Sequence, residues 1–305
     1  VTGGTGTIGR ALVSALRARG DEPIVVSRDA ARARSVLGPD APVVEGDPTC
    51  AGAWREAIAG CGAVVSLAGE RIQPRRWNAQ IRQILHDSRV DTTRNVVEAI
   101  AAAPAAQRPS VLVSASGIDY YALEPDLGEG ALDDTDEVDE SAPPGESFLS
   151  RLCRDWEAEA REAEALGVRV VTMRTGLVIG GEDSPIESWM RAFRWFAGGR
   201  VGSGRQWVSW IHLEDAVRAY LHAIDTPALS GPVNLVAPDR LRNRDFARAL
   251  GRSLRRPSWL PAPAAAVRLA LGDLADHILL GRPAVPRALL DSGFEFHRRE
   301  PFPRP

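Results

Sequence analysis

Val1-Thr2-Gly3-Gly4-Thr5-Gly6-Thr7-Ile8-Gly9 opens the chain, and the reading of this stretch decides the fold. Val1 and Thr2 read as the end of a strand. Gly3, Gly6 and Gly9 then form a TGxxGxxG turn, and the residues up to Gly20 have the pattern of a helix. A pyrophosphate needs a backbone that turns sharply and comes close, which glycine allows because it has no Cβ. The first N–H groups of the following helix point at the anion, and the helix dipole adds roughly half a positive charge there. A glycine triplet alone is weak evidence. Here it follows a strand, opens a helix and heads a βαβ unit, as a dinucleotide fingerprint requires. Only a fragment of the strand is present, so further strand residues are expected upstream of Val1.

The same alternation continues outward. Residues 23–27 and 42–45 read as strands and 29–37 and 51–59 as helices. Residues 63–67, Ala-Val-Val-Ser-Leu, form a continuous apolar run of the kind buried on both faces of a parallel sheet. A long helix is expected at 78–103, strands at 110–114, 168–173 and 232–236, and helices at 146–166 and 212–224. The pattern gives an α/β fold, a Rossmann doubly wound parallel sheet with a smaller C-terminal substrate lobe. Residues 1–175 are expected to form the NADP-binding domain, with 212–238 returning to it, and residues 176–211 and 239–305 the lobe. Residues 119–140 carry ten acidic and no basic side chains and read as a solvated loop. Gly198, Gly199, Gly202 and Gly204 lie close in sequence to Trp195, Trp207 and Trp210, which suits either the wall of a substrate site or core packing.

Composition narrows the chemistry. With 305 residues, 44% hydrophobic and 25% charged, the chain has the make-up of a folded protein. A net charge of -3 argues against nucleic acid as a partner. No apolar run approaches the ~20 residues of a membrane helix, and no signal-peptide pattern is found, so no membrane association and a cytoplasmic location are expected. The three cysteines are scattered and form no CxxC pair; neither a disulfide framework nor a metal site is expected. The partner is expected to be a small-molecule substrate, bound by a monomer or homodimer. All 37 residues counted as Lys+Arg are arginine. Schiff-base chemistry, a P-loop lysine and a Tyr-Lys catalytic pair are thereby excluded, because guanidinium stays protonated and is no nucleophile.

The choice between NAD and NADP falls near the end of the second strand, at Ser27-Arg28-Asp29. Ser27 and Arg28 suit a 2′-phosphate through charge-assisted hydrogen bonds. Asp29 would instead accept from a ribose 2′-hydroxyl, unless it caps the next helix. The balance favours NADP(H).

Several strings resemble one family: TGGTGTIG at the start, SLAGE at 66–70, RRW at 75–77, DSRVDTTR at 87–94, SAS at 114–116, CRDWE at 153–157, RTGLVIG at 174–180 and GSGRQWVSWIHLED at 202–215. Together they resemble the atypical epimerase/dehydratase-like branch of the short-chain dehydrogenase/reductase superfamily, over nearly the whole chain. The resemblance implies that Gly3, Gly6, Thr7, Ile8 and Gly9 wrap the pyrophosphate and that Ser27 and Arg28 hold the adenosine phosphate. Asp47 would lie near the adenine. Leu67, Ala68, Gly69 and Glu70 would pass the nicotinamide ribose, and Arg174, Gly176 and Leu177 would flank the nicotinamide from the other side. In the wider superfamily a Ser-Tyr-Lys set does the chemistry. Ser116 stands where that serine is expected, but Phe148 and Leu152 occupy the tyrosine and lysine places.

Tyr120, Tyr121 and Glu70 therefore become candidates for proton transfer beside Ser116, each with a packing or solvated role as its alternative. Cys153 reads as a buried apolar residue, His212 as a helix-terminal one, and Arg76, Arg89 and Arg205 as substrate grips or surface ion-pairing residues. The branch usually runs from SAS through a short Tyr-Tyr-Gly segment, whereas here Gly117-Ile118-Asp119 precede Tyr120-Tyr121-Ala122, and the altered loop suggests a specialised substrate. The expected function is an NADP(H)-dependent oxidoreductase or epimerase acting on a small hydroxylated or carbonyl metabolite. A redox-neutral isomerase or dehydratase and a non-catalytic NADP-binding sensor or scaffold stand as alternatives.

Overall fold

The structure, a computed structural model, describes residues 1–72, 76–122, 137–181, 184 and 186–302. Arg75 and residues 123–136, which hold most of the acidic loop, lie outside the described residues.

Thr2 is the residue on which the sheet closes. It forms parallel bridges to Val26 on one side and to Ser66 on the other. Its N–H donates to the Val65 carbonyl at 3.0 Å, and its carbonyl accepts from Leu67 N–H at 3.2 Å. The order across the sheet is thus Val43–Glu45, Val25–Ser27, Val1-Thr2, Ala63–Ser66, Val111–Gly117, Arg169–Thr175 and Gly231–Leu235, with every pairing parallel. The chain winds outward one way from Thr2 and then the other. This reversal opens a crevice at the carboxyl ends of the strands, the place where such sheets bind ligands.

The expectation of strands buried on both faces holds in detail. Val65, Val111, Val113 and Val171 join Leu12, Leu16 and Val217 on the face covered by helices Thr7–Ala18 and Leu213–Asp225. Their neighbours Val64, Leu112 and Val170 point the other way, to Val96, Ile100 and Ala160 of helices Ala79–Ala102 and Phe148–Arg161. Each fully buried aliphatic side chain contributes about 1.5–3 kcal/mol, so register is fixed from both sides. The helix expected at 51–59 is a 3-10 helix, Ala53–Ile58, anchored by the buried Trp54.

Outside the main sheet, Leu177–Ile179 pairs with Trp210–His212 in parallel and Trp207–Val208 with Leu241–Arg242 antiparallel. Glycines in this part of the chain serve packing. A Cβ on Gly198 would stand 2.2 Å from the Phe193 ring, and one on Gly199 would stand 2.2 Å from the Leu260 carbonyl oxygen. Trp210 is buried, while Trp195 is exposed. Leu289, on helix Arg287–Asp291, and Phe294 pack into the core with Leu12, Val111 and Val233. The edge strand Gly231–Leu235 needs apolar cover on this face, and the end of the chain supplies part of it.

Candidate cofactor and active site

Two segments meet at the crevice. Gly3 has φ +68°, and a Cβ there would lie 2.7 Å from the backbone nitrogen of Ala68. The glycine turn and the Leu67–Gly69 segment are therefore in backbone contact. Ala68 N–H also donates to Thr2 Oγ at 3.3 Å. A Cβ on Gly9 would stand 2.2 Å from the Gly3 carbonyl oxygen, whereas one on Gly6 would meet only that oxygen, at 3.4 Å. The space over Gly6 is open. Gly6 is the N-cap of helix Thr7–Ala18, with no side-chain cap and no acidic residue in the first turn. An open helix start beside open space fits a pyrophosphate.

At the second strand Asp29 proves to be a cap. Its carboxylate accepts from Arg32 N–H at 2.8 Å, and its own N–H and carbonyl engage the Ser27 hydroxyl. Ser27 stays half-exposed and Arg28 exposed at the strand tip. The acidic group that would select a ribose 2′-hydroxyl is thus held by the helix. Asp47 is exposed, and its carboxylate accepts from Thr49 N–H and Oγ.

The candidate catalytic residues fall into a buried polar network and its surroundings. Ser116 Oγ donates to Glu157 Oε1 at 2.7 Å. Arg174 grips the same carboxylate with both prongs, Nε to Oε1 at 2.8 Å and Nη2 to Oε2 at 2.9 Å. Its Nη1 donates to the Tyr121 hydroxyl at 2.9 Å, and that hydroxyl donates to Asn234 Oδ1 at 2.6 Å. Asn234 Nδ2 ends the chain on the carbonyls of Val138 and Val285. Glu157 and Arg174 are 1% and 2% exposed, so their forked pairing offsets the cost of burying both charges. Burial alone would lower the Arg174 pKa, but Glu157 outweighs it and raises it. Burial pushes the Tyr121 hydroxyl up to about 12.

The Arg174 side chain, expected against the nicotinamide, is turned into the core because strand alternation puts it on the face of Val170 and Thr172, opposite Glu157. Gly176 and Leu177 pack beside it. A Cβ on Gly176 would stand 2.5 Å from the Ser209 carbonyl oxygen, which accepts from Leu177 N–H at 2.8 Å. Tyr120 lies with its ring centroid 3.5 Å from the Arg174 guanidinium carbon. Glu70 stands apart from the network, with its backbone N–H on Ser88 Oγ and its carbonyl accepting from Arg89.

Arg89 is buried, with its guanidinium over Trp156, and is no surface grip; Arg76 and Arg205 are exposed. Burial pushes the Cys153 thiol up to about 12, the state of an inert packed thiol. His212 caps helix Leu213–Asp225 by accepting from Glu214 N–H. Sequence reasoning passed over Glu157, Asn234, His277 and Arg282. A carboxylate on the sheet-facing side of helix Phe148–Arg161 and a lone amide in the apolar run of residues 231–235 were signals for the first two.

Crevice, glycine turn and uncapped helix together define the class, a Rossmann-fold nucleotide-binding protein of the atypical short-chain dehydrogenase kind. The chain belongs to the NAD dependent epimerase/dehydratase family, whose pattern matches residues 1–236, while residues 262–300 match a domain of unknown function, DUF1731. It is 37% identical over 298 residues to the chloroplastic epimerase family protein SDR39U1 homolog of Arabidopsis thaliana, covering 97% of this chain and 82% of that one. It is 39% identical to the epimerase family protein Mb2239 of Mycobacterium bovis, with 97% and 92% covered. Human SDR39U1 (isoform 2), solved with NADPH, superposes with a TM-score of 0.82 at 33% identity, covering 98% of this chain and 95% of that one. No helix among the described residues is long and apolar enough to cross a membrane.

Proposed function

We propose that the protein is an NADP(H)-dependent oxidoreductase or epimerase acting on a small hydroxylated or carbonyl metabolite. The observation that carries this reading is the cradle over Gly6 together with the capping role of Asp29, which leaves the exposed Arg28 to receive a 2′-phosphate, with the half-exposed Ser27 joining once its hydroxyl turns from the Asp29 carbonyl. The NADPH in the human SDR39U1 structure supports the same choice. Gly3, Gly6, Thr7, Ile8 and Gly9 hold the pyrophosphate, and Leu67, Ala68 and Gly69 guide the nicotinamide ribose. The bound cofactor supplies hydride exchange.

The residues of the chain do the rest. Ser116 gives its proton to Glu157, so it offers a substrate only its lone pairs and orients a hydroxyl rather than polarising a carbonyl. Tyr121 donates and accepts within the buried network and acts as part of the scaffold. The test is to incubate the protein with NADPH deuterated on the transferred face and a metabolite pool. Deuterium in a product is the expected result. Turnover with the label unchanged would favour a redox-neutral reaction, and tight binding without turnover a sensor.

A further inference from the structure

We propose that His277, oriented by Asp119, is the proton-transfer group at the nicotinamide end of the crevice, in the place of the missing tyrosine. The proposal rests on the cofactor reading above and adds the residue that reading lacks.

Asp119 follows Ser116 by three positions, in the short 3-10 turn Ile118–Tyr120 just beyond strand Val111–Gly117. A Cβ on Gly117 would lie 3.2 Å from Cys153 Sγ and 3.8 Å from Asp119 Oδ2, so the carboxylate sits at the carboxyl end of that strand. Arg89 reaches the same place from below. Its side chain would be 3.1 Å from a Cβ on Gly69, and its guanidinium interacts with the charge of Asp119. Asp119 therefore lies at the end of the strand that carries Ser116, while Arg89 links the Gly69 segment to the same neighbourhood.

His277 comes from the opposite side, on helix Leu274–Leu279 of the lobe. Its Nδ1 is 2.7 Å from Asp119 Oδ1. Arg282 stands 3.5 Å from the same oxygen and is itself held by the carbonyls of Tyr121 and Ala122. Burial opposes the charge of Asp119, yet His277 and Arg282 outweigh it and hold the carboxyl at about 2. An ionised carboxylate is an acceptor only, so it takes the proton of Nδ1 and fixes the tautomer. Nε2 is left to exchange protons. It makes no hydrogen bond with a described residue, although the side chain is only 7% exposed. An imidazole with one nitrogen anchored to a carboxylate and the other without a partner among the described residues is the arrangement of a general acid–base.

The balance is simple. For each carbonyl reduced, the hydride comes from the dihydronicotinamide and the proton from Nε2–H of the imidazolium. The products are an alcohol, the oxidised cofactor and a neutral imidazole that solvent reprotonates. Oxidation of an alcohol runs the same transfers backwards. Asp119 is a positioning residue.

The test uses the full chain carrying 15N-labelled histidine. The His277 ring signals are assigned by their loss in His277→Gln, and wild-type spectra are recorded with NADP⁺ and with adenosine 2′,5′-bisphosphate, which lacks the nicotinamide half. The expected result is that both ligands bind and only NADP⁺ shifts the His277 ring nitrogens. Asp119→Asn is expected to move those nitrogens away from the Nδ1–H pattern, as the positioning role of Asp119 requires. NADP⁺ binding with His277 signals that move no further than with the bisphosphate would overturn the proposal and leave the cofactor reading intact. Failure of both ligands to bind would overturn the cofactor reading and this proposal with it.

Discussion

Arg174 and Glu157 form a buried ion pair tied to Ser116, Tyr121 and Asn234. Breaking such a pair by removing one partner leaves an uncompensated buried charge, at about 3–5 kcal/mol. Arg174→Met is expected to lower unfolding stability in urea by that amount. The double variant Arg174→Met, Glu157→Leu is expected to recover most of it, since no charge is then orphaned. A single variant as stable as the wild type would contradict the account. The pairing was only half legible in the sequence. Alternation along residues 169–175 puts Arg174 on the same face as Val170 and Thr172, but which carboxylate it meets depends on how helix Phe148–Arg161 lies across the sheet. His277 was less legible still, because its partner Asp119 is 158 positions away and sits in another part of the fold.

At the scale of elements, the glycine turn separates two kinds of requirement. Gly9 is needed for folding, since a Cβ there would meet the Gly3 carbonyl oxygen at 2.2 Å. Gly6 has φ -75° and room for a Cβ, but that Cβ would occupy the open space assigned to the pyrophosphate. Gly9→Ala is therefore expected to lose both thermal stability and NADPH binding. Gly6→Ala is expected to keep its melting temperature and lose NADPH affinity, measured by calorimetry. Equal melting temperatures for the two variants, or undiminished binding by Gly6→Ala, would count against this division. The strands and helices of the sheet were readable because their periodicity is local and buried runs such as Val64-Val65 face two cores. Their ends were less so. The turn at Ala53–Ile58 holds Trp54, which is buried in the core with Val26, Val96 and Leu112 and donates to the Cys50 carbonyl.

Over the whole molecule, the sheet order centred on Thr2 creates the crevice, helix Leu274–Leu279 brings His277 to Asp119, and the chain then returns to cover the edge strand. That return has no periodic signal in the sequence; it follows from the apolar face that strand Gly231–Leu235 would otherwise leave bare. The central claim belongs to this scale, because the glycine turn, the strand tip at Ser27-Arg28 and the Leu67–Gly69 segment must all address one cofactor. Calorimetric titration of the intact chain with NADPH and with NADH tests it most directly. A 2′-phosphate held by a charge-assisted bond to Arg28 is worth about 1.5–3 kcal/mol, so NADPH is expected to bind roughly 10- to 150-fold more tightly. Arg28→Ala should erase most of the difference. NADH binding as tightly as NADPH, or neither nucleotide binding, would contradict the account.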